Sequence, residues 1–132
     1  CDASNDKTIS LLRERKKRPH KPLAVMFKNI DQLENYCYTN EIEKNLLLSN
    51  ESPIVLLFKK QSFALASNLC FDNDKLGAML PASALHHLLL SDFAGPVVAT
   101  SGNTSEEPIA FENDEAKDFS TALTAEIKWN AC

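Results

Sequence analysis

Residues 13–27 read RERKKRPHKPLAVMF, and the fold turns on this stretch. Its first nine residues carry six of the chain's 14 lysines and arginines against Glu14, one of 18 acidic residues. All three arginines of the protein, Arg13, Arg15 and Arg18, lie here. Pro19 and Pro22 cannot continue a helix, and each favours extended backbone in the residue before it. Leu23, Ala24, Val25, Met26 and Phe27 follow as an apolar run of strand length, which predicts a buried strand. The stretch specifies a helix-to-strand corner with a cationic apex.

Upstream, Ser4, Asn5 and Asp6 offer a cap for a helix running to about Lys16, with Ile9 and Leu12 facing inward. Downstream, helices are predicted over 30–36 and 39–49, the second with Ile42, Leu46 and Leu47 at helical spacing. Pro53 opens a strand over 54–58, closed by Lys59 and Lys60. Residues 61–76 read as irregular, with a turn at Asp72, Asn73 and Asp74, before a short strand over 77–80. The helix predicted over 82–91 is apolar on nearly every side, which predicts burial between layers. A strand over 96–99 leads into the loop 100–105; Asn113 caps a last helix with Ala116, Phe119 and Leu123 inward, and Ile127 and Trp129 begin a final strand. Short strands alternating with helices define an α+β (mixed α/β) class in one domain, without repeats or linkers.

At 132 residues, 44% apolar and a net charge of −4, the chain has an ordinary globular composition. No apolar run approaches the roughly 18–20 residues of a membrane span, so a soluble, cytoplasmic protein without a membrane partner is expected. The cysteines at 1, 37, 70 and 132 lack close pairing, which argues against a zinc site and predicts free thiols, buried at Cys37 and Cys70. Cys1 and Cys132 at the two ends suggest a piece of something longer. Glycines stand only at 77, 95 and 102, which excludes a P-loop or dinucleotide fingerprint.

Two constellations can bind an anion. In the first, residues 16–22, prolines stiffen a turn whose Lys16 and Arg18 can grip a phosphate or carboxylate, Arg18 bidentately. Charge alone does not separate this from a solvated helix end, where cations suit the helix dipole. In the second, Gly102 permits a left-handed turn, and Thr100, Ser101 and the Asn103 amide add neutral donors beyond a strand's carboxyl end. A plain polar turn has the same composition. His86 and His87 are helical neighbours pointing about 100° apart, so they do not share a metal; one is packed or hydrogen-bonded inside and the other edges a pocket, or both are structural. No catalytic triad is visible. Glu106 and Glu107 read as a solvated loop or as metal ligands through ATP phosphates, and no protein metal site is expected.

Together, RERKKRPHKPLAVM, GAMLPASALHHLLL and VVATSGNTSEEPIAFENDEA resemble, in collinear order, the YrdC-like domain of the HypF family of hydrogenase-maturing carbamoyltransferases. The resemblance implies a twisted mixed sheet with flanking helices, and a YrdC-like domain over 1–132 that is truncated at its N-terminus and its C-terminus. The family's glycine-rich first strand would lie upstream, and Trp129, Asn130 and Ala131 stand where the family reads His-Asn-Arg. It further implies that Lys16 and Arg18, with Ser101, Asn103 and Thr100, bind ATP, with Mg2+, and a carbamate from carbamoyl phosphate to form carbamoyl-adenylate. The partners it implies are the remainder of a HypF chain and HypE, which takes the carbamoyl group on the way to cyanide ligands of NiFe hydrogenase. Two alternatives are a threonylcarbamoyl-adenylate synthase acting in tRNA modification and a double-stranded RNA-binding module, the latter opposed by the chain's acidity.

Overall fold

The computed structural model describes residues 1–62, 64–71 and 73–101. Helix α1 spans Asp6–Arg15, and its cap is Asn5, whose side chain accepts from the amides of Lys7 and Thr8. β1 (Ala24–Met26) follows, then α2 (Ile30–Glu34) and α3 (Glu41–Leu47). Both short helices start on asparagine caps, and α3 carries a full capping box between Asn40 and Glu43. β2 (Val55–Phe58), a 3-10 turn at Ser67–Leu69, β3 (Lys75–Met79), α4 (Ala84–Asp92) and β4 (Val97–Ala99) complete the described elements.

The strands form one mixed sheet in the order β2-β3-β1-β4. β1 and β3 are parallel at the centre, and β2 and β4 run antiparallel to them at the flanks. Beyond β4, Asp2 pairs with Val97, and the Val98 amide donates to the Cys1 carbonyl at 2.7 Å. The period of two in a strand splits the side chains between two faces. Val25, Leu57, Leu76, Ala78 and Val98 turn to one side and build the main core with Ile9, Leu33, Leu47, Leu69 and Phe27. Cys37 and Cys70 are buried there as free thiols, as expected; burial pushes the Cys37 thiol up to about 11, with Cys70 adding to the shift. Met26 and Val97 turn to the other side and meet Leu90 of α4.

One burial expectation fails. Helix α4 is not enclosed: among its leucines only Leu90 is fully buried, while Leu85 and Leu88 are 71% and 66% exposed. A nine-residue helix lying on one sheet face hides a single stripe, so uniform apolarity does not imply burial on every side. The helix predicted from the spacing of Ile42, Leu46 and Leu47 is present as α3, where Leu47 enters the core while Ile42 stays 74% exposed. The Lys44–Glu34 ion pair at 2.7 Å and the Thr39–Glu34 hydrogen bond tie this segment to α2.

The span read as irregular also contains order. Ser67 donates through its amide and hydroxyl to Asp6, and Asn68 donates to the Asp6 carbonyl and Ser10, strapping the 3-10 turn along α1. β3 begins at Lys75, two residues before the predicted strand, because pairing with Phe58 recruits it. The last predicted helix and strand, Cys132 and the Asp72 corner of the predicted turn lie outside the described residues. Among the described residues no helix is long and apolar enough to cross a membrane.

Candidate functional site

The cationic apex takes its shape from how α1 stops. The helix ends at Arg15, four residues before Pro19, so the proline does not terminate it. Lys17 adopts φ 49°, the left-handed region that favours glycine. The Lys17 amide donates to the Glu14 carbonyl at 3.0 Å and the Arg18 amide to the Arg13 carbonyl at 2.9 Å. These are the two bonds of a Schellman motif, with lysine in the position glycine usually holds. The reversal sends Lys16 and Arg18 to their places on either side of an exposed Lys17. Lys17→Ile is therefore expected to unfold at lower denaturant than Lys17→Gly, by about 1 kcal/mol or more, because a β-branched residue resists positive φ. Urea titration of the two variants checks it.

Inside the corner lies Arg13, 6% exposed. Its Nε donates to the Asn68 carbonyl at 2.8 Å and its Nη2 to the Leu69 carbonyl at 2.9 Å. Its Nη1 reaches the carbonyls of Arg18, Pro19 and Lys21 at 3.0, 3.3 and 2.8 Å. The Phe71 ring stacks on the guanidinium at 4.8 Å, and His20 meets the same ring edge-on. Though it belongs to the cationic stretch, Arg13 is committed to the protein's own carbonyls. Two of its five acceptors, the carbonyls of Asn68 and Leu69, lie 55 and 56 residues away in sequence, and no local pattern announces them.

Lys16 is 2% exposed, and its Nζ donates to the Ser101 carbonyl at 2.8 Å. The two sequence constellations therefore meet. The reason is the β1–β4 register: Ala24 pairs with Ala99 in antiparallel sense, so the carboxyl end of β4 lies beside the amino end of β1, where the cationic turn arrives. Burial, and then the nearby Arg18 charge, lower the hold of Lys16 on its proton. Arg18 is half-buried; its Nη2 donates to the Pro22 carbonyl at 3.2 Å, and its Nε is buried without a hydrogen-bond partner among the described residues. Thr100 and Ser101 are exposed at the strand end. Gly102, Asn103, Glu106 and Glu107 lie outside the described residues.

His86 is half-buried, its Nδ1 accepting from the Ala82 amide at 3.3 Å, while His87 is exposed; neither is packed inside the core. Among the described residues no three His, Cys, Asp or Glu side chains group to hold a metal. A groove of about 720 Å³ lies on the opposite edge strand, lined by Tyr38, Phe58, Lys59, Lys60, Gln61 and Asp74. Lys60 there donates to the Glu34 carbonyl and sits over the Tyr38 ring, so that cation is spent on the protein itself.

Fold and site together define a mixed α/β domain that presses a rigid cationic turn against a hydroxyl-bearing strand end, an arrangement suited to a phosphorylated anion. The family described as telomere recombination, Sua5/YciO/YrdC, matches residues 1–129, and the chain belongs to it. Carbamoyltransferase HypF of Synechocystis sp. is 45% identical over 116 residues, covering 88% of this chain and 15% of that protein. The Rhodobacter capsulatus carbamoyltransferase HypF is 42% identical, covering 93% and 16%. The chain thus spans about one-sixth of the length of these curated relatives. Full-length HypF in a phosphate- and nucleotide-bound form superposes with a TM-score of 0.88 at 43% identity, over 92% of this chain and 16% of that one. Sua5 of P. abyssi matches at 0.75 and 20% identity over 89% of this chain and 35% of that one, a likeness of fold alone.

Proposed function

We propose that this chain is the ATP-binding, YrdC-like part of a HypF-type cytoplasmic carbamoyltransferase, and that Lys16, Arg18, Thr100, Ser101 and Asn103 hold the reactants. The observation that carries the reading is the meeting of Lys16 with the Ser101 carbonyl near Arg18, whose Nε is buried without a hydrogen-bond partner among the described residues. A half-buried donor next to a second cation favours a dianionic oxygen cluster over water. That a relative was solved with phosphate and nucleotide bound supports the same ligand class.

In this reading water hydrolyses carbamoyl phosphate to carbamate and inorganic phosphate, and a carbamate oxygen attacks the α-phosphorus of ATP. The bond to the bridging oxygen breaks, pyrophosphate leaves and carbamoyl-adenylate remains. Lys16 and Arg18 stabilise charge gathering on the phosphoryl oxygens and the leaving group, and Ser101 and Asn103 orient the carbamate. Mg2+ accompanies ATP on its phosphates. The remainder of the HypF chain would then pass the carbamoyl group to HypE, and this piece by itself is expected to lack full turnover. Sequence identity favours this branch over the tRNA-modifying one, since HypF relatives stand at 33–45% where Sua5 stands at 20%.

Calorimetric titration with ATP tests the site. Arg18→Ala is expected to bind at least about tenfold more weakly than wild type, since each charge-assisted hydrogen bond contributes about 1.5–3 kcal/mol. Equal affinities for the two proteins would remove Arg18 from the site.

A further inference from the structure

Arg13 is the most fully engaged side chain of the cationic stretch, and no reaction step calls on it. Its one plane of donors serves two clients. Nε and Nη2 hold the carbonyls of Asn68 and Leu69, which are fixed along α1 by the Asp6 and Ser10 contacts. Nη1 gathers the carbonyls of Arg18, Pro19 and Lys21 around a single nitrogen. Three carbonyls drawn to one interior point turn the backbone of residues 18–21 outward, and Phe71 closes the guanidinium from behind. Only arginine fits: its fork is planar with five donors, whereas a lysine ammonium offers three donors on a flexible stem and no plane for Phe71 to stack on.

We infer that Arg13 is the positioning residue of the anion site: it touches no ligand, but freezes the turn 18–21 against the 3-10 segment so that Arg18 is aimed before the ligand arrives. The inference rests on the reading of this corner as the ATP site. A turn ordered in advance loses less conformational entropy on binding, so loss of the clamp appears as lost affinity even in a protein that stays folded.

Four variants test it in the full chain: Arg13→Lys, Phe71→Leu, Arg18→Ala and the double variant Arg13→Lys with Arg18→Ala. Without ligand, trypsin nicking after Lys16 or Lys17 is expected to rise about tenfold or more in Arg13→Lys, as the turn opens locally. With ATP, Arg13→Lys is expected to weaken binding about tenfold where Arg18 is present and to add nothing where Arg18 is alanine, since residues acting as one unit are not additive. Phe71→Leu, at a half-exposed position that spares every hydrogen bond of the clamp, is expected to give the same pattern with a loss of about threefold. It carries the test should Arg13→Lys fail to fold. A merely structural role would reduce affinity by the same factor in both backgrounds, and that result, or unchanged nicking, overturns the inference. ATP binding by wild type that Arg18→Ala weakens and Arg13→Lys does not would overturn the positioning role alone. No binding by wild type would overturn the site reading, and Arg13's place in it.

Discussion

Replacing Phe27 with alanine is expected to destabilise the protein by about 3–5 kcal/mol, the range for removing a fully buried aromatic ring. Phe27 is completely buried in the main core, immediately after β1. Its amide extends the parallel pairing by donating to the Met79 carbonyl at 3.0 Å, and its ring lies 5.6 Å from that of Tyr36. Truncation leaves a cavity in the close-packed main core beside the Tyr36 ring. Domains of this size are stable by only about 5–15 kcal/mol, so a large share of the total disappears. Phe58 is the control: it is 54% exposed, and Phe58→Ala is expected to cost about 1 kcal/mol or less. Urea midpoints read both. Equal costs at the two positions would contradict the assignment of the core to one face of the sheet.

The second large effect is expected at Lys16. Lys16→Met keeps the aliphatic stem and removes the charge, and should weaken ATP binding about tenfold or more, because a desolvated ammonium interacts strongly with phosphate. The same substitution changes the pH dependence of stability. Burial and Arg18 make the folded state hold the Lys16 proton less tightly than the unfolded chain does. Between the lowered folded value and the ordinary lysine value of about 10.4, the unfolded state binds more protons, so stability rises with pH through that window. Below it, Lys16 is charged in both states and its full desolvation penalty remains. Urea midpoints of wild type and Lys16→Met from pH 8 to 10.5 should therefore shift in favour of wild type as pH rises. Saturating ATP should flatten this shift, since bound phosphate restores the preference for the charged form. A difference independent of pH would show that Lys16 is not desolvated in the fold.

Much of the local structure was legible. Asn5 and the turn-forming prolines bracket α1 and the corner, and the run 23–27 is a strand because β-region backbone and apolar side chains suit a buried sheet centre. The motif residues Lys16, Arg18 and Ser101 were legible as well, though only a family resemblance joined them. The role of Arg13 was not: two of its acceptors come from the far side of 50 residues of chain. Nor does any propensity place Lys17 at positive φ, where the demands of the corner override the preference of its side chain.

By itself, then, the sequence determined which segments become helix or strand, which residues are cationic and which segment must turn, since caps, prolines and apolar periodicity act over a few residues. Only the tertiary structure decided that β4 runs antiparallel to β1 and so carries Ser101 to Lys16, that α4 shows most of its leucines to solvent, and that Arg13 serves the backbone. Those outcomes depend on strand order and on partners distant in sequence, and strand pairing is selected by the packing of the whole sheet rather than by neighbours along the chain.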